Sequence, residues 1–253
     1  MRIFLTGASS GLGEALARHY ATGETVLGLV ARRADLLDSL SRSLPGTCAV
    51  YALDVADTEA LARAAADFLA RFGVPDLVIA NAGISIGTSA EDIDDAEKLL
   101  RVLRVNVLGL SATLAAFAPS MRSAGRGTLV GISSVAGFRG FPGAGAYSAS
   151  KAAATTLLES MRVELSGSGV SVVTICPGYI DTPMTRVNRY PMPFLLAADE
   201  AARRVARAIA ARRRLAVIPW QMALVSILIR ALPGWLFARL FARARRKPRD
   251  LPL

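Results

Sequence analysis

Tyr147 and Lys151 stand four positions apart in the stretch "AYSASKAA", shortly after the serine pair Ser133 and Ser134. On a helix, residues at this spacing share one face. An ammonium held beside a phenol favours the phenolate and draws its pKa from about 10 towards neutrality. Tyr147 then becomes a proton donor to a carbonyl, or an acceptor from an alcohol, near pH 7. The spacing alone is weak, because an ordinary amphipathic helix produces it too. Its weight depends on where the surrounding elements put it.

Short apolar runs alternate with helical patterns along the chain. Arg2–Thr6, Thr25–Ala31, Thr47–Leu53, Leu77–Asn81, Gly127–Ser133 and Val170–Cys176 read as strands, and Leu215–Pro219 as a possible seventh. They are almost continuously apolar, as parallel strands covered on both faces must be. Leu12–Ala21, Asp35–Ser43, Thr58–Phe72, Ala90–Met121, Tyr147–Leu165 and Ala198–Arg214 read as helices. This alternation predicts an α/β fold with a doubly wound parallel sheet, in one domain spanning residues 1–253. Ligands of such sheets bind beyond the carboxyl ends of the strands. Ser134 falls just there, past the fifth strand.

The first strand ends in "TGASSGLG". Gly7 permits a sharp turn, and Gly11 and Gly13 permit close approach at the start of a helix, whose free N–H groups suit a pyrophosphate. The spacing departs from the commoner GxGxxG. After the second strand, where an acid would receive a ribose 2′-hydroxyl, stand Ala31, Arg32 and Arg33. Two arginines suit a 2′-phosphate, with Arg32 ranked first and two solvated arginines as the plain alternative. Asp54, at the end of the third strand, fits either an adenine amino group or a helix N-cap. The small segment "NAG", Asn81–Gly83, fits close packing on a nucleotide.

Taken together, "TGASSGLG", Asp54-Val55, Asn81–Gly83, Asn106 in "RVNVLG", "ISS" ending at Ser134, "YSASK" and "PGYIDT" resemble the short-chain dehydrogenase/reductase family over roughly Met1–Thr185. The resemblance implies a Rossmann-type fold and an NAD(P)-dependent oxidoreductase, and the two arginines favour NADP(H) over NAD(H). Tyr147 would be the acid/base, Lys151 would bind the nicotinamide ribose, Ser134 would hold the substrate oxygen, and Asn106 would anchor a water behind the lysine. Ser133 is the second choice for the serine role. Gly7, Ser9, Ser10, Gly11, Leu12, Gly13, Asn81, Ala82 and Gly83 would cradle the dinucleotide. Pro177, Gly178, Ile180 and Thr182 would line its nicotinamide end. Hydride would pass directly to or from the substrate carbon, without a metal. Ser10 stands where some NADP enzymes of the family carry a base, a departure from the NADP pattern. A homodimer through the helices after strands four and five is implied, with a tetramer through the seventh-strand edge as the alternative. A catalytically silent NADPH-binding regulator or scaffold, and an epimerase or dehydratase, are the rival readings. The full set of four catalytic residues argues against the first of these.

The substrate end is less legible. Residues 186–214 read as a substrate-loop region, with Pro191, Met192, Pro193 and Phe194 as an apolar lid. Phe138, Phe141 and Tyr179 are further candidate pocket residues, which favours a hydrophobic ketone or secondary alcohol. Arg139, Arg186 and Arg189 are candidates for an anion clamp.

Charge is concentrated in the tail. The chain carries a net +10, yet Arg203–Arg249 holds thirteen bases and no acid, against seventeen bases and twenty acids elsewhere. These bases interleave with Leu, Ile, Val and Trp, which suits an anionic membrane surface better than nucleic acid. Within the apolar and basic extension 220–247, Pro233-Gly234 splits two short helices, Gln221–Leu232 and Trp235 to about Arg245. A straight spanning helix is not expected. Pocket cover, a subunit interface or a lipid surface remain as its roles. Cys48 and Cys176 read as buried thiols and His19 as a helix surface residue. With no apolar leader evident, the expected location is cytoplasmic, with peripheral membrane contact as an option.

Overall fold

The computed structural model describes residues 1–188, 190–244 and 246–249. Seven parallel strands form its central sheet in the order β3-β2-β1-β4-β5-β6-β9. These are β1 (Arg2–Thr6), β2 (Val26–Ala31), β3 (Thr47–Ala52), β4 (Leu77–Ala80), β5 (Gly127–Ile132), β6 (Val170–Pro177) and β9 (Leu215–Ile218). The helices α1 (Gly11–Tyr20), α2 (Ala34–Ser43), α3 (Thr58–Phe72), α4 (Asp95–Leu103), α5 (Leu110–Ala115), α6 (Ala118–Ser123), α7 (Gly145–Glu164) and α9 (Ala198–Ala210) cover its faces.

Alternation along β1 sorts the core into two layers. Ile3 and Leu5 join Leu16, Leu37, Val205 and Ile209 beneath α1, α2 and α9. Phe4 faces the other way, into Phe68, Phe117, Leu114 and Leu158 beneath α3, α5 and α7. Successive side chains of a strand point to opposite faces, and this one buries both. Strand order reverses between β1 and β4, which opens a crevice at their carboxyl ends. On the second face Gly131 lets α7 lie close to β5. A Cβ there would come within 2.4 Å of Leu158.

Three elements differ from the sequence reading. The expected single helix Ala90–Met121 starts at Asp95, passes through a π-helical stretch at Arg104–Gly109, and breaks at Ala116–Phe117 before α6. Pro119 explains the break, since it has no N–H to continue the ladder. α9 stops at Ala210 rather than Arg214, because Arg212 adopts a left-handed φ of 48°. The amides of Arg212 and Arg213 then return to the carbonyls of Ile209 and Ala208. Finally, β7 (Ile180–Asp181) and β8 (Leu196–Ala197) pair as a two-stranded parallel sheet flanking α8 (Pro183–Arg186). Within residues 186–214, α9 thus packs on α1 and the sheet.

The extension forms α10 (Trp220–Ala231) and α11 (Gly234–Phe241), bent by 117° at Pro233-Gly234.

Candidate active site

The carboxyl ends of β1 and β4 are pinned to each other by side chains. Thr6 Oγ1 accepts from the amides of Asn81 at 3.1 Å and Ala82 at 3.2 Å. Asn81 Nδ2 donates back to the carbonyls of Thr6 at 3.1 Å and Gly7 at 3.2 Å. At the start of α1 the backbones are so close that a Cβ on Gly13 would lie 2.0 Å from the Gly7 oxygen. No side chain larger than hydrogen fits there.

A continuous cleft of about 270 Å³ runs from this turn to the ends of β5 and β6. Every residue named from sequence for the dinucleotide lines it, as does Ser134. The two arginines are placed differently from each other. Arg32 pairs with Asp54 at 3.7 Å, and Arg33 donates from one guanidinium nitrogen to Ser9 Oγ and Ser10 Oγ, both at 2.9 Å. The N-cap alternative for Asp54 does not hold, because Asp57 caps α3 by accepting from Ala60. Asp54 instead accepts from the amide of Ala56 at 2.9 Å.

At the far end of the cleft α7 brings in Tyr147 and Lys151. Ser133 anchors that helix, with its hydroxyl on the Lys151 carbonyl at 2.8 Å and on Thr155 Oγ1 at 2.7 Å. It is therefore engaged, and Ser134 is the serine that faces the phenol. Ser134 Oγ accepts from the Ala136 amide at 3.1 Å and lies 3.4 Å from the Pro177 carbonyl. Lys151 is 3 % exposed, and its ammonium donates to the Ile132 carbonyl at 2.9 Å.

The electrostatics depart from the sequence expectation. Burial raises the Tyr147 phenol above its ordinary value, and the Ser134 hydrogen bond opposes that only in part. Burial lowers Lys151 to about 8. The ammonium is turned onto Ile132 and sits 5.7 Å from the centre of the tyrosine ring, and desolvation is the main cause of the raised phenol.

Asn106, fully buried, projects from the π-helical stretch behind the cleft. Its Oδ1 accepts from the Ile84 amide at 2.8 Å. Its Nδ2 donates to the Ile84 carbonyl and to Ser150 Oγ, each at 2.9 Å. Ser150 in turn donates to the Tyr147 carbonyl at 2.7 Å. Gly83 lies between, where a Cβ would meet Asn106 Oδ1 at 3.3 Å and Lys151 Nζ at 3.4 Å.

The residues suggested for the substrate end scatter. Phe138, Phe141, Tyr179, Met192 and Phe194 are not among the residues lining the cleft. Phe141 packs instead on Phe237 and Phe241 of α11, with ring centres 5.9 and 5.7 Å away. Tyr179 meets Tyr190 at 6.3 Å, Met192 sulfur receives Asn188 Nδ2 at 3.7 Å, and Phe194 is 48 % exposed. Arg139 is no anion clamp. It donates to the carbonyls of Ile229, Arg230 and Leu232, closing the end of α10, and stacks over Phe237. Arg186 is held by Asp181 at 2.7 Å, and Arg189 lies outside the described residues. His19 is exposed beside Tyr20, and both cysteines are free thiols on well-separated strands.

Sequence reasoning missed Thr6, Ile84, Ser150, Met184 and Thr185. One signal was available: the spacing Thr182-x-x-Thr185 forms a reciprocal capping box, with the Thr182 amide on Thr185 Oγ1 at 3.0 Å.

A doubly wound sheet with a glycine turn at its crevice and a Ser-Tyr-Lys wall defines a nucleotide-binding oxidoreductase. The family model described as short chain dehydrogenase matches residues 1–192. An uncharacterized oxidoreductase of Myxococcus xanthus is 38 % identical over 244 residues, covering 95 % of this chain and 96 % of that protein. Among solved structures, a short-chain dehydrogenase from Streptomyces avermitilis superposes with a TM-score of 0.82 at 27 % identity, covering 96 % of this chain and 97 % of its own. An alcohol dehydrogenase from Thermococcus sibiricus, complexed with 5-hydroxy-NADP, gives 0.74 at 28 % identity, covering 86 % and 95 %. The chain belongs to the short-chain dehydrogenase/reductase family and is an NAD(P)-dependent oxidoreductase.

Proposed function

We propose that the protein is an NADP(H)-dependent reductase or dehydrogenase acting on a ketone or secondary alcohol with a hydrophobic body. The carrying observation is the single cleft that joins the glycine turn, the two arginines and the Ser134–Tyr147–Lys151 wall. The glycine turn and the start of α1 line this cleft, where free N–H groups suit a pyrophosphate. When bound there, the nicotinamide supplies or takes up hydride at its C4. The protein's own groups handle the oxygen. Ser134 Oγ holds it by a hydrogen bond, and Tyr147 Oη gives or removes its proton. Lys151 Nζ binds the ribose and provides positive charge beside the phenol. Asn106 holds the Ile84 backbone and, through Ser150, the start of α7, so it keeps these groups in register and supports a relay behind Lys151. The direct test incubates the protein and NADPH with a metabolite and lipid extract. Loss of a carbonyl compound that depends on both supports the reading, and failure to bind NADPH sinks it.

The NADP preference rests on Arg32 and Arg33, and the 5-hydroxy-NADP of the Thermococcus sibiricus structure is consistent with it. Arg33, hydrogen-bonded at Ser9 and Ser10, has as good a claim to the 2′-phosphate as Arg32, which the sequence ranks first. Arg32→Ala and Arg33→Ala should each raise the KM for NADPH by about tenfold or more, as expected for loss of a charge-assisted hydrogen bond. The KM for NADH should stay nearly constant. If neither variant changes the NADPH/NADH ratio, the preference is not set here.

Two surfaces bear on assembly. Leu99, Leu100 and Leu108 on α4 and the π-helical stretch are exposed, as are Leu157 and Val163 on α7, which favours a homodimer across these helices. Trp220, Leu224, Ile227 and Leu228 of α10 and Trp235 and Leu240 of α11 are exposed as well. With Arg230, Arg239 and Arg243 alongside, this elbow suits shallow insertion into an anionic bilayer face. Full-length protein should co-sediment with vesicles containing anionic lipid, and the double variant Ile227→Ser/Leu228→Ser should largely remain in the supernatant. Equal sedimentation would remove the membrane role.

A further inference from the structure

The chain beyond α11 returns to the loops at the carboxyl end of the sheet, beside the cleft wall. Its strap, residues 246–249, touches loops that follow three neighbouring strands. The Gly87 amide, after β4, donates to the Pro248 carbonyl at 3.1 Å. A Cβ at Gly87 would meet the Lys247 carbonyl at 2.4 Å, and one at Gly143, between β5 and α7, would meet Arg246 Cβ at 2.7 Å. Arg249 fastens the end of the strap to Asp95 at 2.8 Å and to Asp92.

This strap carries Lys247 inwards. The side chain is 7 % exposed, and its Nζ lies 3.5 Å from the carbonyl of Met184, a residue of the cleft wall. One contact at the outer limit of hydrogen bonding does not satisfy three ammonium donors. Among the described residues no carboxylate pairs with it. The acids nearest along the strap, Asp92 and Asp95, are held by Arg249, and Asp95 also by Lys98 at 2.7 Å. A buried, poorly paired cation costs stability that a methionine in its place would not. The two arginines considered from sequence as anion clamps are engaged elsewhere, Arg139 by α10 and Arg186 by Asp181.

We propose that Lys247 is a specificity-determining residue that receives a carboxylate borne by the substrate, so that the preferred substrates are oxo acids or hydroxy acids with an apolar chain between the two groups. This rests on the reductase reading above. The burial that lowers Lys247 to about 8 is the same feature that an incoming anion would offset.

The test compares medium-chain oxo acids with their methyl esters at saturating NADPH. The wild type should favour acids over esters by about tenfold or more in kcat/KM. Lys247→Met should erase that preference through a raised KM for acids alone, and Lys247→Arg should restore most of it. A second measurement needs no turnover: decanoate should raise the Tm of the NADPH-bound wild type and leave that of Lys247→Met unchanged. Lys247→Met should itself melt no lower than the wild type. If esters are turned over but acids and esters fall in parallel, or decanoate shifts both proteins equally or neither, the assignment is overturned while the reductase reading stands. If decanoate depends on Lys247 but no carbonyl compound is reduced, the reductase reading fails and the anion site remains. Equal protection by inorganic phosphate alone would make this a free-anion site and overturn the substrate assignment.

Discussion

Tyr147→Phe should lower kcat by about 10³-fold or more, while the fold and NADPH affinity stay close to those of the wild type. The lost hydroxyl is the group that exchanges a proton with the substrate oxygen, and general acid–base catalysis contributes roughly 10²–10⁴. The larger end is expected because Ser134, the other hydroxyl facing the oxygen, has no proton source of its own. Its Oγ is tied to the Ala136 amide and near the Pro177 carbonyl. Ser134→Ala should then be the milder change, since it removes a hydrogen bond and leaves the acid in place. Single-turnover oxidation of NADPH under saturating substrate isolates the chemical step. A Phe variant that keeps a tenth of the wild-type rate would show that another group carries the proton.

Most of this site was readable before the structure because it is written in local backbone demands. Gly7 and Gly13 are required where two main chains nearly touch, and a strand-turn-helix pattern says where that must happen. Tyr147 and Lys151 need only helical spacing. Asn106 was named through resemblance. Its physical reason, a π-helical stretch that aims it at Ile84 and Ser150, has no periodic signature in sequence. The substrate end was less legible for a related reason. Aromatic residues such as Phe141 read as pocket lining, yet it packs on Phe237 and Phe241 of α11, and which apolar surface meets which is a tertiary outcome. Arg139 was misread in the same way, because the carbonyls it closes lie some ninety positions later in the chain, at Ile229 to Leu232. The strap at 246–249 was hidden inside a basic run that reads as part of a tail for an anionic surface. Only the fold shows that Lys247 reaches the Met184 carbonyl and that Arg249 is held by Asp92 and Asp95.

Lys151→Met should abolish most activity and yet make the protein more stable at neutral pH. In the folded chain Lys151 titrates near 8, lowered by burial from an ordinary 10.5. Where the unfolded chain is protonated but the folded site resists charge, folding must either release a proton or bury a cation, and both are unfavourable. That penalty is present in full below about pH 8 and disappears as the pH rises towards the unfolded value, so the stability of the wild type should increase over this window. Methionine keeps the buried stem and removes the charge, against which stands the loss of the bond to the Ile132 carbonyl. The balance is a gain of about 1–2 kcal/mol at pH 7, or about 2–8 °C in Tm for a chain of this size. Lys247 is lowered in the same direction, so the wild-type curve carries both lysines, and the difference between wild type and Lys151→Met isolates one. The gain should shrink steadily between pH 8 and 10. A variant that melts lower than the wild type at pH 7, or a gain independent of pH, would mean that the ammonium is paired well enough in the resting site to support the fold. The catalytic wall would then be stabilising in its own right, and the low folded pKa of Lys151 would not be a cost that the site bears for its chemistry.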